Sequence, residues 1–436
     1  MHNYMKIQSL LHLTIAFFVT LHCVYAQPIQ KNVAPIVQHI DYKASKRPDR
    51  ILLTLTRNPS QEMMVTWRTD NSVSQAFAEI AEVTQNYDFY KKNIQLTAIS
   101  DTITSIENEQ VIYHKVKFKN LKPNTQYSYR VGGRGYWSEW SDFKTTERAF
   151  TKPFQFLYLG DAQNDIFSLW SRAVRGAFKK APNARFAVHA GDLINHSQNN
   201  YEWGEWFAAS GFIPKMIPSL ITLGNHEYIK DDTGHKVDVS ALWNPQFNFP
   251  NNGPKGFEDR AYFVNYLNTK MICLDSNKGI VEQTTWLKKV LKENKEPWVI
   301  VFFHHPVISA AKGRVNTAIM THWKPLFDQY KVDLVLQGHD HVYGRGNKVN
   351  SGLGKWNENS GTTYVVSVSG RKMYTLSDHS WMDKKGENIQ LYQVITIKQD
   401  SLNFKAYTLD DQLFDHFELY KQKNTANVLK ELPLHE

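Results

Sequence analysis

Five times between residues 154 and 341 the chain runs through a short apolar stretch and stops at a residue able to bind a metal. Phe154 to Leu159 ends at Gly160-Asp161, and Phe186 to Ala190 ends at Gly191-Asp192. Ile217 to Leu223 leads into Gly224-Asn225-His226-Glu227, Trp298 to Phe303 into His304, and Val332 to Gln337 into Gly338-His339-Asp340-His341. Such runs read as buried strands. Helical spacing lies between them, in Phe167 to Phe178, Tyr201 to Ala209, and the amphipathic set Trp286, Leu287, Val290 and Leu291. The alternation predicts an α/β sheet whose polar residues sit beyond the C-terminal strand ends, where open α/β sheets place their sites. His339 and His341, at i and i+2 on extended chain, are expected to project to one side and to reach two metals lying side by side. Gly338 is expected to supply the sharp turn out of the strand. The bland alternative is a polar loop facing water.

The chain before residue 150 has a different rhythm. Met63-Met64-Val65-Thr66-Trp67 alternates, as do Val116, Phe118 and Leu121, and then Tyr127, Tyr129 and Val131. Leu121-Lys122-Pro123-Asn124-Thr125-Gln126-Tyr127 is a turn followed by a strand-opening tyrosine, a spacing similar to that of fibronectin type III domains. Trp137-Ser138-Glu139-Trp140-Ser141 reads either as a ligand-binding module or, preferred here, as an aromatic ladder clamping Arg130 by cation–π stacking. The division expected is a leader over residues 1–26, a linker over 27–45, an all-β domain over 46–148, an α/β domain over 150–420 and a polar, frayed tail over 421–436.

The five motifs in this order resemble the calcineurin-like metallophosphoesterase superfamily, most closely its purple acid phosphatase branch. The resemblance implies an α/β metallophosphoesterase two-sheet sandwich flanked by helices, preceded by an all-β fibronectin type III-like sandwich. It implies two metal ions, drawn from Fe, Mn or Zn. Asp161 and His341 would bind the first, Asn225, His304 and His339 the second, and Asp192 would bridge both. His226 would face the substrate, giving a proton to the leaving oxygen or binding phosphate. Glu227, His305 and Arg345 would stand behind the ligands. The implied reaction is hydrolysis of phosphate monoesters, small phosphorylated molecules, by attack of a metal-bridging hydroxide. Phosphodiester hydrolysis is the alternative within the superfamily. A surface binding protein with a decayed site is the alternative outside it, and the complete set of six ligands argues against decay.

Two positions depart from the branch. Asn195 stands three residues after Asp192, where purple acid phosphatases carry the tyrosine that binds ferric iron, so a divalent pair enters consideration. Gln163 stands where many superfamily members carry a histidine two residues after the first aspartate. Both are metal-ligand or supporting candidates.

The ends and the composition bound the setting. Lys6, the apolar Leu10 to Leu21 and Val24-Tyr25-Ala26 read as an export signal, too short and too interrupted to span a bilayer. Lipid attachment at Cys23 is not expected, because His22 is a poor fit to the small residue such a site wants. Cleavage after Ala26 would leave Cys273 alone, so an exported chain would rely on its cores rather than on an internal disulfide. The net charge of +9 is spread without a dense Lys/Arg run. It predicts no nucleic-acid partner and a slight steering of anionic substrates. The oligomeric state stays open.

Overall fold

The computed structural model describes residues 42–105, 108–133, 135–346, 362–378, 381–422 and 427–435. The leader expected over residues 1–26, with Cys23, and the linker up to residue 41 lie outside them.

An eleven-stranded sheet begins in the N-terminal part and ends at the C-terminus. Its middle is parallel, with Phe154–Leu159, Ala187–His189 and Ser219–Ile221 side by side. On one flank Leu391–Ile397 pairs antiparallel with Phe154–Leu159, followed by Ser401–Thr408, Leu413–Tyr420 and Val428–Glu431. On the other flank Asp49–Thr54 joins in parallel through the pair Thr54 and Ser219. Met63–Asp70, Gln110–Phe118 and Ile99–Thr104 extend it from there.

A second sheet of seven strands holds a parallel core of Thr269–Cys273, Trp298–Phe302, Leu334–Gln337 and Thr363–Val366. Its strands are buried on both faces, as their unbroken apolar runs require. Ile300 and Phe302 enter the core shared with Phe156 and Leu157 of the first sheet. Val299 and Val301 turn the other way, onto Leu287 of the helix Ile280–Lys292 and onto Trp323 and Phe327. Two sheets face to face with helices outside form the α/β sandwich that the motifs imply.

The N-terminal sandwich is completed by a five-stranded sheet around Phe77–Glu82 and Gln126–Gly133. The Tyr127 hydroxyl accepts the Lys122 amide at 2.9 Å, closing a tyrosine corner. Arg130 lies 4.7 Å from the Trp137 ring centre and 5.0 Å from that of Trp140, and it bonds Glu79 at 2.7 Å. The two tryptophans therefore act as a strand clamp. The join to the α/β part is polar and buried. Arg50 donates to Tyr113, Gln246 and the Asn200 carbonyl, while Arg68 pairs with Asp49 and also reaches Asn200. Guanidinium groups that deep persist because both terminal nitrogens of each find acceptors, although Arg50 Nε has none among the described residues.

The stretch from Tyr228 to Gly256 holds the hairpin Tyr228–Lys230 and Lys236–Val239, then the short helix Trp243–Gln246. Trp243 and Phe247 are buried, and Gln246 and Asn248 bond the N-terminal sandwich at Arg50 and Thr54. The tail is not frayed throughout. Val428–Glu431 forms the edge strand against Leu413–Tyr420, because Glu431 answers the buried Arg345. Among the described residues no helix is long and apolar enough to cross a membrane.

Candidate metal centre

Each of Asp161, Asp192, Asn225, His304, His339 and His341 lies within four residues of a strand's C-terminal end, on the short turn that leaves it. Four of them sit in left-handed backbone: Asp161 at φ +38°, Asp192 at +50°, His339 at +73° and His341 at +49°. Non-glycine residues adopt that region at a cost, typically where function dictates geometry. The histidine pair is therefore not on extended chain, as its spacing suggested. The two turns point the rings to different places, since His339 joins Asp192 and His304 while His341 joins Asp161 and Asp192. Gly338 is needed for another reason than turning. The positive φ falls on His339, and a Cβ on Gly338 would stand 2.3 Å from Asp161 Oδ2. Gly224 is constrained alike, at 2.1 Å from Asp192 Oδ1.

The two groups have donor atoms within 4.8 Å of one another and share the Asp192 carboxylate. In the first, His304 Nδ1 donates to the Ala190 carbonyl at 2.8 Å, which leaves Nε2 without a proton in the neutral ring. That Nε2 faces Asn225 Oδ1 at 3.2 Å, His339 Nδ1 at 3.1 Å and Asp192 Oδ2 at 3.2 Å. In the second, His341 Nδ1 donates to the Lys372 carbonyl at 3.0 Å, turning Nε2 toward Asp161 Oδ1 at 3.8 Å. Lone pairs converge in both, and the ring nitrogens turned outward are held by backbone carbonyls, as metal-binding histidines usually are.

The electrostatics point the same way. Burial pushes the Asp161 carboxyl well above the usual range, and Asp192 adds to the push. Asp192 is opposed by burial too, but the His304 and His226 imidazoles hold it well below that range. His304, although burial opposes its charge, is raised to about 9 by Asp192 and Asp161. A proton on His304 is a single-charge substitute for a cation that two buried carboxylates require. A hard-oxygen and imidazole donor set of this kind suits Fe, Mn or Zn.

Two family models match the chain. The purple acid phosphatase N-terminal domain matches residues 48–145, and the calcineurin-like phosphoesterase model matches residues 154–343. The chain belongs to the purple acid phosphatase-like calcineurin-like phosphoesterases. Purple acid phosphatase 18 of Arabidopsis thaliana is 26% identical over 320 residues, covering 71% of this chain and 69% of that protein. An uncharacterised protein of Mycobacterium tuberculosis is 26% identical over 341 residues, 69% of this chain but 63% of that protein, so the chain spans under two-thirds of this relative's length. A purple acid phosphatase from yellow lupin (Lupinus luteus) seeds shares the fold, with a TM-score of 0.74 at 18% identity over 86% of this chain and 75% of that one.

Within the cluster the departures from the branch resolve differently. Gln163 is fully buried inside the cluster, donating from Nε2 to Asp192 Oδ2 at 2.8 Å and lying 3.1 Å from His341 Nε2. Asn195 is not in the cluster: its side chain lies 3.2 Å from the exposed His196 ring. Its backbone carbonyl instead accepts His226 Nδ1 at 2.6 Å, leaving His226 Nε2 facing Asp192 Oδ2 at 3.9 Å. The Glu202 carboxylate fixes that segment by accepting the Asn195 and His196 amides, both at 2.7 Å. An open cleft of about 640 Å³ runs from His226 along Asn199 to Tyr228 and Lys230.

Glu227 accepts the amides of Gly224 at 2.6 Å, Leu193 at 2.8 Å and Asp192 at 3.0 Å, tying two ligand loops together. His305 sets its ring 4.3 Å from that of His339, tilted by 47°, and bonds Ser276 Oγ at 2.9 Å. Arg345 braces no ligand. Alternation along Tyr343–Gly346 aims it and Tyr343 at Asp415, and its guanidinium also forks onto Glu431. Sequence reasoning missed Asp340, whose Oδ2 accepts the Ala310 amide at 2.6 Å and the Ser309 hydroxyl at 2.9 Å, as well as Arg314, Lys372 and Tyr374. The last three lie in irregular loops, where no periodicity marks a position.

Proposed function

We propose that this protein is a metal-dependent phosphoric ester hydrolase that cleaves small phosphate monoesters at a pair of ions drawn from Fe, Mn and Zn. The observation that carries the reading is the shared carboxylate: two separate donor groups meet at Asp192. Asp161, Asp192 and His341 would hold one ion, with the Gln163 amide donating to Asp192 beside them, and Asp192, Asn225, His304 and His339 would hold the other. Bound there, the ions supply charge to offset the phosphate and acidify water.

The chain's own residues do the rest. His226 is oriented by the Asn195 carbonyl, so Nε2 is the nitrogen left to bind the phosphate or to pass a proton to the leaving oxygen. Glu227 holds the Asp192 and Asn225 loops in register, and Asp340 anchors the histidine turn. The cleft past Tyr228 and Lys230 receives the organic part of the ester. The apolar leader over residues 1–26 supports action outside the cytoplasm. Elemental analysis of the purified protein, with turnover on a monoester and a diester of the same phenol, tests the reading. A metal-loaded protein inert on both esters would overturn it.

A further inference from the structure

We infer that Arg314 and Lys372, docked on the Tyr374 ring, recognise the doubly charged terminal phosphate of a monoester and set its preference over a diester. The inference rests on the phosphatase reading above and deepens it.

Arg314 Nη2 lies 2.7 Å from His339 Nε2. The other nitrogen of that ring, Nδ1, is the one among the converging donors, 3.1 Å from His304 Nε2. An imidazole that gives the Nδ1 lone pair to a cation carries its proton on Nε2. A guanidinium has only donors, so it cannot keep this bond once the ion is present. Arg314 would retain Asp340, whose Oδ1 lies 3.7 Å from Nε and has no hydrogen bond of its own, and the Tyr374 ring, 4.7 Å from Cζ. Among the described residues, Nη2 is then left without an acceptor at the edge of the cluster.

Lys372 sits on the same ring, its ammonium 5.5 Å from the Tyr374 centroid. That ammonium makes a long contact of 3.5 Å to Gln163 Oε1, and among the described residues no carboxylate pairs with it. Its carbonyl meanwhile holds His341, and Tyr374 packs edge-on to the His341 ring at 4.8 Å. The two loops that present these cations are zipped together by the Ala311–Leu376 bridge and by the Ser377 amide on the Ala310 carbonyl at 2.8 Å. Two cations, each short of an acceptor and both held against the ligands by one tyrosine, describe an oxyanion site. A monoester dianion offers it three terminal oxygens, whereas a diester offers two and a single charge. The planar fork of arginine and the point charge of lysine both favour the former.

The test uses the metal-loaded full chain with Arg314→Met, Lys372→Met and Arg314→Lys. Three quantities are measured: metal content, calorimetric binding of inorganic phosphate, and kcat/KM on 4-nitrophenyl phosphate and bis(4-nitrophenyl) phosphate. Each methionine variant should keep its metal. It should lose about 10- to 100-fold in phosphate affinity and in monoester kcat/KM, the usual size of a charge-assisted contact, while diester turnover barely changes. Arg314→Lys should recover part of the loss. Equal losses on the two esters, unaltered phosphate binding, or loss of metal from Arg314→Met would each overturn the inference, the last by making Arg314 a brace for His339. Phosphate binding decides the matter even if the wild-type chain hydrolyses neither ester, a result that would count against the proposed function alone.

Discussion

Two buried charge clusters leave the same short segment of chain and end in opposite states. His339 and His341 turn into the cluster with Asp161, Asp192 and His304, while Arg345, four residues on, turns into a cluster with Asp415 and Glu431. In the second, every strong donor meets an acceptor: Arg345 forks onto Asp415 at 3.0 Å and onto Glu431 at 2.7 Å, and Tyr343 completes Asp415 at 2.6 Å. In the first, acceptors face acceptors, one carboxyl is pushed up and an imidazole is raised to about 9. Arg345 and Asp415 are as buried as Asp161 and Asp192, so burial does not mark the site. What marks it is charge of one sign gathered without its complement, a state that persists when a ligand completes it.

The largest expected effect separates the clusters by chemistry. Asp192→Ala removes the carboxylate common to both donor groups, so bound metal and turnover should both be lost, as read by elemental analysis and a monoester assay. Near-normal turnover in a folded Asp192→Ala protein would end the comparison. His226→Ala probes the first cluster without dismantling it. Metal should stay, while the rate on alkyl phosphates falls by roughly 10²–10⁴ and by less on aryl phosphates, whose leaving oxygen needs no proton. Equal losses on both would place His226 on the phosphate instead.

Arg345→Met should do the reverse. Stranding the buried Asp415 should cost about 3–5 kcal/mol in urea unfolding, the usual result of breaking a buried pair from one side, with Glu431 adding little because its side chain is 60% exposed. Metal content and turnover of the folded protein should not change, and chelation should still lower its midpoint as it lowers that of the wild type. The smallest effect is an absence. The iron-loaded protein should lack an intense visible band, because Asn195 offers no phenol and the tyrosines nearest in sequence are engaged elsewhere. Tyr201 packs on Tyr42, and Tyr228 bonds Asp275. A band abolished by Tyr374→Phe would mean that this ring, which touches His341, has taken the missing ligand's place.

Much of this was readable along the chain. The apolar runs before Asp161, Asp192, Asn225, His304 and His339 are strands, though four of the five are shorter than the runs: Phe186 to Ala190 shrinks to Ala187–His189, and Ile217 to Leu223 to Ser219–Ile221, while Phe154–Leu159 keeps its full length. The run outlasts the strand because the turn that aims each ligand is itself buried and apolar. Arg130 between its tryptophans was readable too, from the Trp137-Ser138-Glu139-Trp140-Ser141 pattern, although alternation alone would send i and i+3 to opposite faces; Trp140 reaches the arginine because it lies between the strands Tyr136–Trp137 and Ser141–Lys144. The joining of the N-terminal strands to the α/β strands at Thr54 and Ser219 was not, nor was Glu431 returning to Arg345. Both join residues far apart in sequence, the first by backbone pairing and the second by side chains that look like ordinary surface polarity until their partners arrive.

The sequence by itself determined the layered α/β architecture, the β-sandwich ahead of it, and which residue types stand at which strand ends. Those follow from periodicity and from short-range turn chemistry, which are local properties. Only the tertiary structure decided where the side chains point. It sent His339 and His341 to different donor groups through left-handed turns, assigned Gly338 to clearance rather than turning, and moved Asn195 out of the cluster while keeping its carbonyl on His226. It also brought Arg314 and Lys372 to one tyrosine. Each outcome depends on which backbone carbonyl or carboxylate comes within about 3 Å, the range over which hydrogen bonds and close contacts are decided, and no one-dimensional pattern encodes that distance.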